Sequence, residues 1–310
     1  MSTSLPSYVH DLVDDAAIFP PGNAPLDEAV AAHRHHQASS YAGLVGPFVV
    51  SDARLAELGE VVSLRDASSL GSSGRAPGST TRDDLDDRDD LDVIVVVTGG
   101  AGAIEPAVTW ASRTEGLALA GLEVAMRESD AGDLAPNARR IVTAVDQLGL
   151  DVPVSVEVPR LYGADPSASW LGALDELAAV DHRLKLRTGG LEVDAFPSPH
   201  ELGTCIAAAL DRELRFKCTA GLHHAVRHTD PQTGFDHHGF LNVLLATRAS
   251  LDGAGVDDVA AVLDTRDGAA LTRDLDADAL TSARRWFTSF GSCSVLDPLD
   301  DLTKLGLVTG

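Results

Sequence analysis

Short apolar segments alternate along the chain with longer segments in which apolar residues recur every three or four positions. Short runs rich in Val, Leu and Ile are typical of buried strands, and the three-to-four spacing is typical of helices. The predicted strands are residues 12–19, 43–51, 92–99, 117–126, 152–158, 183–188, 213–220 and 258–264. The predicted helices are residues 25–38, 52–60, 104–115, 135–148, 168–180, 198–210, 237–250 and 276–290.

Strands that alternate with helices predict a parallel sheet, and eight strands are the number that closes a barrel. We therefore predict one α/β domain over residues 1–310 with a (β/α)8 fold of the TIM-barrel type. The alternative is a doubly wound open sheet, which usually has a glycine-rich phosphate loop after its first strand. Residues 19–23 (FPPGN) have no such pattern.

Residues 66–92 interrupt the alternation of strands and helices. They are rich in Ser, Gly and Asp and contain few residues that a core would bury. Such a composition predicts a disordered, acidic surface insertion. Because the alternation resumes after residue 92, we interpret the segment as an insertion and not as a domain boundary.

The formal net charge of −23 disfavours nucleic-acid binding, which needs a basic surface, and is typical of a salt-adapted protein. The chain has no apolar run long enough to span a bilayer and no signal-peptide pattern, so we expect no membrane partner and a cytoplasmic location. Its three cysteines, in no CxxC spacing, fit a reducing compartment. We expect a small-molecule substrate and consider a homodimer possible for such a barrel.

Ionisable residues in the predicted strands are unusual, because parallel strands are buried on both faces. In residues 183–188, Leu184 and Leu186 share one face, so Lys185 and Arg187 lie on the other. The apolar faces are expected to pack on the helices, which directs the charged faces into the barrel. The residues predicted to point inward are Glu123, Glu157, Lys185, Arg187 and Lys217.

Two of only three lysines, Lys185 and Lys217, thus fall on neighbouring interior strands. A lysine that is removed from water beside other cations has a lowered pKa and can attack a carbonyl group to form a Schiff base. We expect Lys217 and Arg187 to lower the pKa of Lys185 in this way, with Glu157 or Glu123 transferring protons. The alternative is a buried ion-pair network without catalytic function.

The turns after these two strands are suited to an anionic group. Residues 188–190 (TGG) follow one strand and residues 219–221 (TAG) follow the next, and such turns can expose backbone N–H groups and a hydroxyl. Ordinary strand-to-helix turns have the same composition. The residues predicted to bind substrate or phosphate here are Arg187, Thr188, Gly189, Gly190, Thr219 and Gly221.

Histidines cluster after the seventh predicted strand, at positions 223, 224, 228, 237 and 238. Imidazoles are common ligands of zinc and iron, but the HxH and HExxH spacings are absent. We therefore predict that His223 or His224 contacts the substrate, and that the site needs neither a metal nor a cofactor. The helical residues His33, His35 and His36 are expected on the surface.

The motifs around both lysines resemble those of class I (Schiff-base) aldolases of the deoxyribose-phosphate aldolase type. Residues 185–189 (KLRTG) have the family's Lys-x-x-Thr-Gly spacing, and residues 217–221 (KCTAG) are similar to its Lys-x-Ser-Gly-Gly. Further short matches are residues 12–20 with Asp14, the Glu at position 157, and residues 265–268, where the last phosphate loop would be. The resemblance implies a Schiff base on Lys185 that Lys217 perturbs, and substrate contact by Asp14.

Three functional interpretations follow from these features. The first is an aldolase-like lyase that forms an imine through Lys185 with a small, anionic or phosphorylated substrate. The second is a metal-dependent hydrolase or isomerase that uses the histidines after the seventh strand. The third is a barrel without catalytic activity that binds a ligand or serves as a scaffold.

Overall fold

Eight parallel strands form a closed barrel in the computed structural model, which describes residues 5–72, 90–126, 134–163 and 165–308. The barrel strands are β1 (Val13–Asp15), β2 (Val45–Ser51), β3 (Leu91–Val97), β4 (Leu117–Ala125), β5 (Val154–Glu157), β6 (Arg183–Arg187), β7 (Phe216–Thr219) and β10 (Phe287–Ser292). β10 pairs with both β7 and β1, which closes the ring. The predicted single-domain (β/α)8 barrel is therefore confirmed.

Helices alternate with the strands around the barrel. They are α1 (Leu26–Gln37), α2 (Leu55–Ser72), α3 (Ile104–Arg113), α4 (Leu134–Asp146), α5 (Ala168–Ala178), α6 (Pro199–Leu210), α7 (Phe240–Leu251), α8 (Val256–Asp264), α9 (Gly268–Thr272), α10 (Ala277–Ala283) and α11 (Leu296–Lys304). The two-residue strands β8 (His228–Thr229) and β9 (Asp236–His237) form a separate hairpin between β7 and α7. Within the described ranges, no helix has the length and apolar character needed to cross a bilayer.

The main core lies between the outer faces of the strands and the helices. Aromatic side chains fill it where β7 and β10 meet α7: Phe216 stacks on Phe287 at a centroid distance of 5.5 Å, and Phe240 stacks on Phe290 at 5.0 Å. All four rings are buried. Because the apolar faces of the strands are used here, their polar faces point into the barrel.

The eighth barrel strand lies later in the chain than the sequence pattern predicted. Residues 258–264 form most of α8, because Val259 and Leu263 are four positions apart and both face the core. The barrel strand is β10, which overlaps the end of the helix predicted over residues 276–290. Residues 265–268 therefore follow a helix and not a barrel strand, so the placement predicted for the last phosphate loop, directly after the eighth strand, is wrong.

Three smaller features also differ from the prediction. The first strand is confined to Val13–Asp15, whereas residues 12–19 were predicted. The predicted insertion overlaps described structure at both ends, because α2 continues to Ser72 and β3 begins at Leu91. The rest of that insertion, residues 73–89, lies outside the described residues. His33 is not on the surface: it is fully buried, and its Nδ1 lies 2.9 Å from Oδ2 of Asp15.

Candidate active site

A cluster of charged side chains occupies the interior of the barrel, centred on Lys185. The Nζ atom of Lys185 lies 2.6 Å from Oε2 of Glu123 and 3.0 Å from Oε2 of Glu157. The other carboxylate oxygen of Glu157 accepts a hydrogen bond of 2.7 Å from Nε of Arg187. Lys185 is only 4% exposed, so its charge is balanced almost entirely by these protein groups.

Lys217 lies in the same cluster and shares a carboxylate with Lys185. Its Nζ donates hydrogen bonds to Oε1 of Glu123 and, at 2.5 Å, to Oδ2 of Asp14. The hydroxyl of Ser289 donates to the same Asp14 oxygen at 2.7 Å. Glu123 therefore bridges the two lysines, and Asp14 connects Lys217 to β1, two strands away from β7.

The strand register explains why these side chains meet. Glu157 pairs with Lys185 across β5 and β6, and Lys185 pairs with Lys217 across β6 and β7. Glu123 lies one strand further away and is opposite Ser155. Because the Ser155 side chain is small, it leaves space for Glu123 to reach across the interior to both lysines. The alternation of apolar and charged residues along β5, β6 and β7 thus brings the charged side chains together inside the barrel.

The acidic members of the cluster are held in their ionised form. Burial alone would raise the pKa of Glu123, but the ammonium groups of Lys185 and Lys217 outweigh it and lower the pKa to about 2. Burial likewise opposes ionisation of Glu157, and Lys185 and Arg187 outweigh it and lower its pKa. The neighbouring cations therefore decide the protonation state of both acids.

The expected lowering of the Lys185 pKa is wrong for the protein without substrate. Burial does lower this pKa, but Glu123 and Glu157 outweigh both burial and the nearby Lys217, so the net shift is upward. The pKa of Lys217 is also raised, because Asp14 and Glu123 outweigh the effect of burial. The carboxylates lie closer to the lysines than the cations do, and Lys185 rests as an ammonium group.

Small residues lie above this cluster at the carboxyl ends of the strands, and we call this region the mouth. Ala125 and Thr219 lie two residues beyond Glu123 and Lys217 on the same strand faces, and both are partly exposed. A Cβ atom added at Gly291 of β10 would lie 3.6 Å from Thr219 Oγ1 and 4.0 Å from Ala16 Cβ, so these three positions are neighbours. Arg187, the last residue of β6, also lies at this end, and its side chain is 46% exposed.

The two glycine turns predicted to hold an anion pack against each other. The hydroxyl of Thr188 donates to the backbone carbonyls of Thr219 and Ala220, so it is used within the protein. A Cβ atom on Gly189 would lie 2.8 Å from Cα of Gly221, which has a φ of +76°. This close approach requires glycine at both positions. Gly190 is exposed beside this contact.

His223 and His224 lie in different environments. Nδ1 of His223 is 3.2 Å from the Ser292 hydroxyl, and burial lowers its pKa. Nδ1 of His224 is 3.0 Å from Asp301 of α11, and this hydrogen bond raises its pKa. His223 is therefore near the end of β10 at the barrel mouth, whereas His224 is anchored to an outer helix.

The remaining histidines belong to the hairpin region and pack on one another. The ring of His228 contacts those of His224 and His237 at centroid distances of 4.7 and 5.3 Å. His238 is fully buried, and its Nε2 lies 2.8 Å from the Pro197 carbonyl oxygen. No group of three or more His, Cys, Asp or Glu side chains in the described parts of the chain is arranged to hold a metal ion.

Several residues of the interior were not recognised from the sequence. Ser289 was missed because its strand was predicted as a helix, and the spacing of three between Phe287 and Phe290 hides the alternation expected of a strand. The pair of Asp15 and His33 was missed because three histidines in a helix resemble a polar face. Arg183, on the interior face of β6, shares the strand parity of Lys185 but was not considered.

Comparisons with protein-family models and with curated proteins found no match to this chain. The function of the site is therefore inferred from its geometry and charge.

Proposed function

We propose that the protein is an aldolase-like lyase that forms a Schiff base between Lys185 and the carbonyl group of a small, anionic or phosphorylated substrate. The observation that supports this proposal is the position of Lys185. Its amine lies beneath the small residues of the mouth and within hydrogen-bonding distance of a carboxylate, Glu157, which can accept its proton. An amine and a proton acceptor in contact are the two groups that imine formation requires.

The ammonium form of Lys185 must first lose a proton. Glu157 is the suitable acceptor because it lies at the carboxyl end of β5, and Arg187 holds its second oxygen. The free amine then attacks the carbonyl carbon of the substrate. Protonated Glu157 returns the proton to the resulting hydroxyl group, which leaves as water, and a cationic C=N bond remains.

The iminium group then promotes cleavage of the bond between the α and β carbons of the substrate, because its positive nitrogen accepts the electron pair of that bond. The electron pair of the bond between the α and β carbons moves toward the iminium nitrogen and forms an enamine. At the same time the β-hydroxyl group loses its proton to Glu157 and becomes a new carbonyl. Protonation of the enamine carbon by Glu157 and addition of water release the second product. Glu123 stays ionised and stabilises the positive nitrogen throughout.

The exposed guanidinium of Arg187 supports the choice of an anionic substrate. It lies at the mouth with one of its N–H groups bound to Glu157, and its remaining donors can face a carboxylate or phosphate. Thr219, also at the mouth, offers a hydroxyl group to the same substrate.

The test combines borohydride reduction with intact-mass measurement, using a panel of aldehydes, ketones and sugar phosphates. The unaltered protein should gain one reduced adduct, and Lys185→Arg should gain none. The matched control is Lys304→Arg, because Lys304 is exposed on α11 and should not affect the adduct.

Two substitutions at Gly291, in the mouth above Lys185, give a second comparison. Gly291→Leu should fill the mouth and slow trapping at least about tenfold, whereas Gly291→Ala should have little effect. Failure of every carbonyl compound to give an adduct would contradict the proposal and favour a non-catalytic barrel whose charges form a buried ion-pair network. Loss of activity with a chelator would instead favour the metal-dependent alternative.

A further inference from the structure

A cavity opens at the amino end of the barrel, away from the mouth above Lys185. It has a volume of about 230 Å³. Its position is fixed by residues at the starts of strands: Arg183 is the first residue of β6, and Pro153 immediately precedes β5. The inner end of the cavity reaches Asp14, Glu123 and Lys217. The interior charge cluster therefore borders this cavity.

Two polar side chains face this cavity without a partner in the described protein. The guanidinium of Arg183 forms no ion pair with a described residue, and its Nε atom is buried without a hydrogen bond. The hydroxyl of Ser155, a residue only 4% exposed, also has no hydrogen-bond partner in the described parts of the chain. Buried donors without partners are unfavourable unless water or a ligand satisfies them.

The surroundings of Arg183 compensate its charge only in part. Asp14 and Asp181 raise its pKa, but burial and the neighbouring Arg215 outweigh them and lower it, and burial lowers the pKa of Arg284, also at this end of the barrel, to about 10. Arg215 already pairs with Asp181 at 2.6 Å, and Arg284 donates to the backbone carbonyls of residues 287 and 288. Asp14 is occupied by Lys217. Arg183 thus remains available to an anion that enters the cavity.

The other walls limit what kind of anion fits. Pro47, Ile94 and Pro153 form an apolar part of the lining. Asp11 and Asp14 also line the cavity, and their carboxylates disfavour a ligand with two negative charges. A single carboxylate matches the forked donors of a guanidinium, and a short hydrocarbon tail matches the apolar wall.

We propose that this amino-end cavity is a binding site for a short aliphatic monocarboxylate, held by Arg183 with Ser155 as a second donor. The site is separate from the mouth above Lys185 and does not depend on the aldolase-like activity. Because its inner end contacts Asp14, Glu123 and Lys217, a bound carboxylate lies against the same charge network that serves the mouth.

The first experiment is calorimetric titration of the full chain with formate, acetate, propionate, phosphate and chloride at constant ionic strength. Affinity should rise about fourfold for each methylene added between formate and propionate, and phosphate should bind more weakly than propionate. Arg183→Gln should weaken propionate binding at least about tenfold. Absence of propionate binding, or equal binding by Arg183→Gln, would overturn the proposal.

Two arginine variants serve as matched controls. Arg215→Gln removes a paired arginine at the same end of the barrel, and Arg187→Gln removes the arginine at the mouth. Both should bind propionate within about twofold of the unaltered protein. A large loss in Arg187→Gln would place the carboxylate at the mouth, and a large loss in Arg215→Gln would indicate a general effect of surface charge. Either result would contradict the proposed site.

A measurement on the unaltered protein covers the case in which Arg183→Gln does not fold. Phenylglyoxal modifies arginine side chains, and peptide mass spectrometry can follow each site separately. Propionate should slow modification of the peptide that contains Arg183 and leave the peptide that contains Arg215 unchanged. Equal protection of both peptides, or of neither, would overturn the assignment.

Discussion

At the scale of single residues, the barrel interior is governed by charge compensation. Lys185, Lys217 and Arg187 face Glu123, Glu157 and Asp14, so three cations meet three anions, and all of them except Arg187 are largely removed from solvent. Each charge would be strongly unfavourable alone, and each is stabilised by contact with its partners. Glu123 is the counterion that both Lys185 and Lys217 share.

Removal of the bridging carboxylate should therefore destabilise the protein. Glu123→Gln leaves both buried lysines with one counterion fewer, and we expect a loss of about 3–5 kcal/mol in the free energy of unfolding. Glu176→Gln is the matched control, because Glu176 pairs with Arg139 on the surface, where such pairs contribute less than about 1 kcal/mol. Urea unfolding at neutral pH measures both, and similar small losses would contradict the bridging role.

The lowered pKa of Glu123 predicts that the protein loses stability in acid. The folded-state pKa of Glu123, about 2, lies below the value of about 4.3 expected in the unfolded chain. Its contribution is present above the unfolded pKa and is lost as pH falls through the folded pKa. Between about pH 5 and pH 2, the free energy of unfolding should fall more steeply for the unaltered protein than for Glu123→Gln. Parallel curves would show that Glu123 does not titrate in this way.

The protonation of Lys185 predicts the pH dependence of imine formation. Because its pKa is raised, the amine becomes free only when Glu157 takes its proton within the site, so the trapping rate of the unaltered protein should change less than about twofold between pH 6 and 9. Glu157→Gln removes this acceptor, so the proton must pass to solvent and the rate should rise up to about tenfold per pH unit, whereas Glu176→Gln should leave the rate independent of pH. A steep rise with pH in the unaltered protein would contradict proton transfer to Glu157.

At the scale of secondary-structure elements, the sequence predicted most of the barrel and located the lysines correctly. Long apolar strands such as β3 and β4 were recognisable, and alternation within β6 and β7 correctly indicated which side chains point inward. The eighth strand was not recognisable because Thr288, Ser289 and Gly291 interrupt its apolar residues. The Lys185 pKa was mispredicted because residue spacing on strands does not reveal how closely the acids approach.

The position of the eighth strand can be tested through its buried aromatic residue. Phe290 is fully buried and stacks on Phe240, so Phe290→Ala should reduce the free energy of unfolding by about 3–5 kcal/mol. Phe235→Ala makes the same chemical change in the half-buried hairpin region and should cost no more than about 2 kcal/mol. Equal losses would argue against β10 as a barrel strand.

At the scale of the whole molecule, the chain carries a large excess of negative charge. The 47 acidic residues outnumber the 24 lysines and arginines, so charges on the surface repel one another at low ionic strength. The interior cluster differs because its charges are paired and largely removed from solvent. Added salt should therefore weaken the repulsion between surface charges much more than it weakens the ion pairs of the interior cluster.

This difference predicts how salt affects stability. Raising KCl from about 0.05 M to 1 M shortens the screening length from roughly 14 Å to about 3 Å and should increase the free energy of unfolding. The loss caused by Glu123→Gln should stay nearly constant over the same range, because the buried pairs are little screened. Urea titrations at three salt concentrations measure both quantities. A loss for Glu123→Gln that disappears at high salt would indicate that the cluster is open to solvent.

The most direct test of the central claim is the location of the reduced adduct in the unaltered protein. After borohydride trapping with a carbonyl substrate, proteolysis and peptide mass spectrometry identify the modified lysine without any substitution. We expect the added mass on Lys185 and no added mass on Lys217 or Lys304. An adduct on Lys217 or Lys304, or no adduct with any carbonyl compound under conditions that support turnover, would contradict Lys185 as the nucleophile.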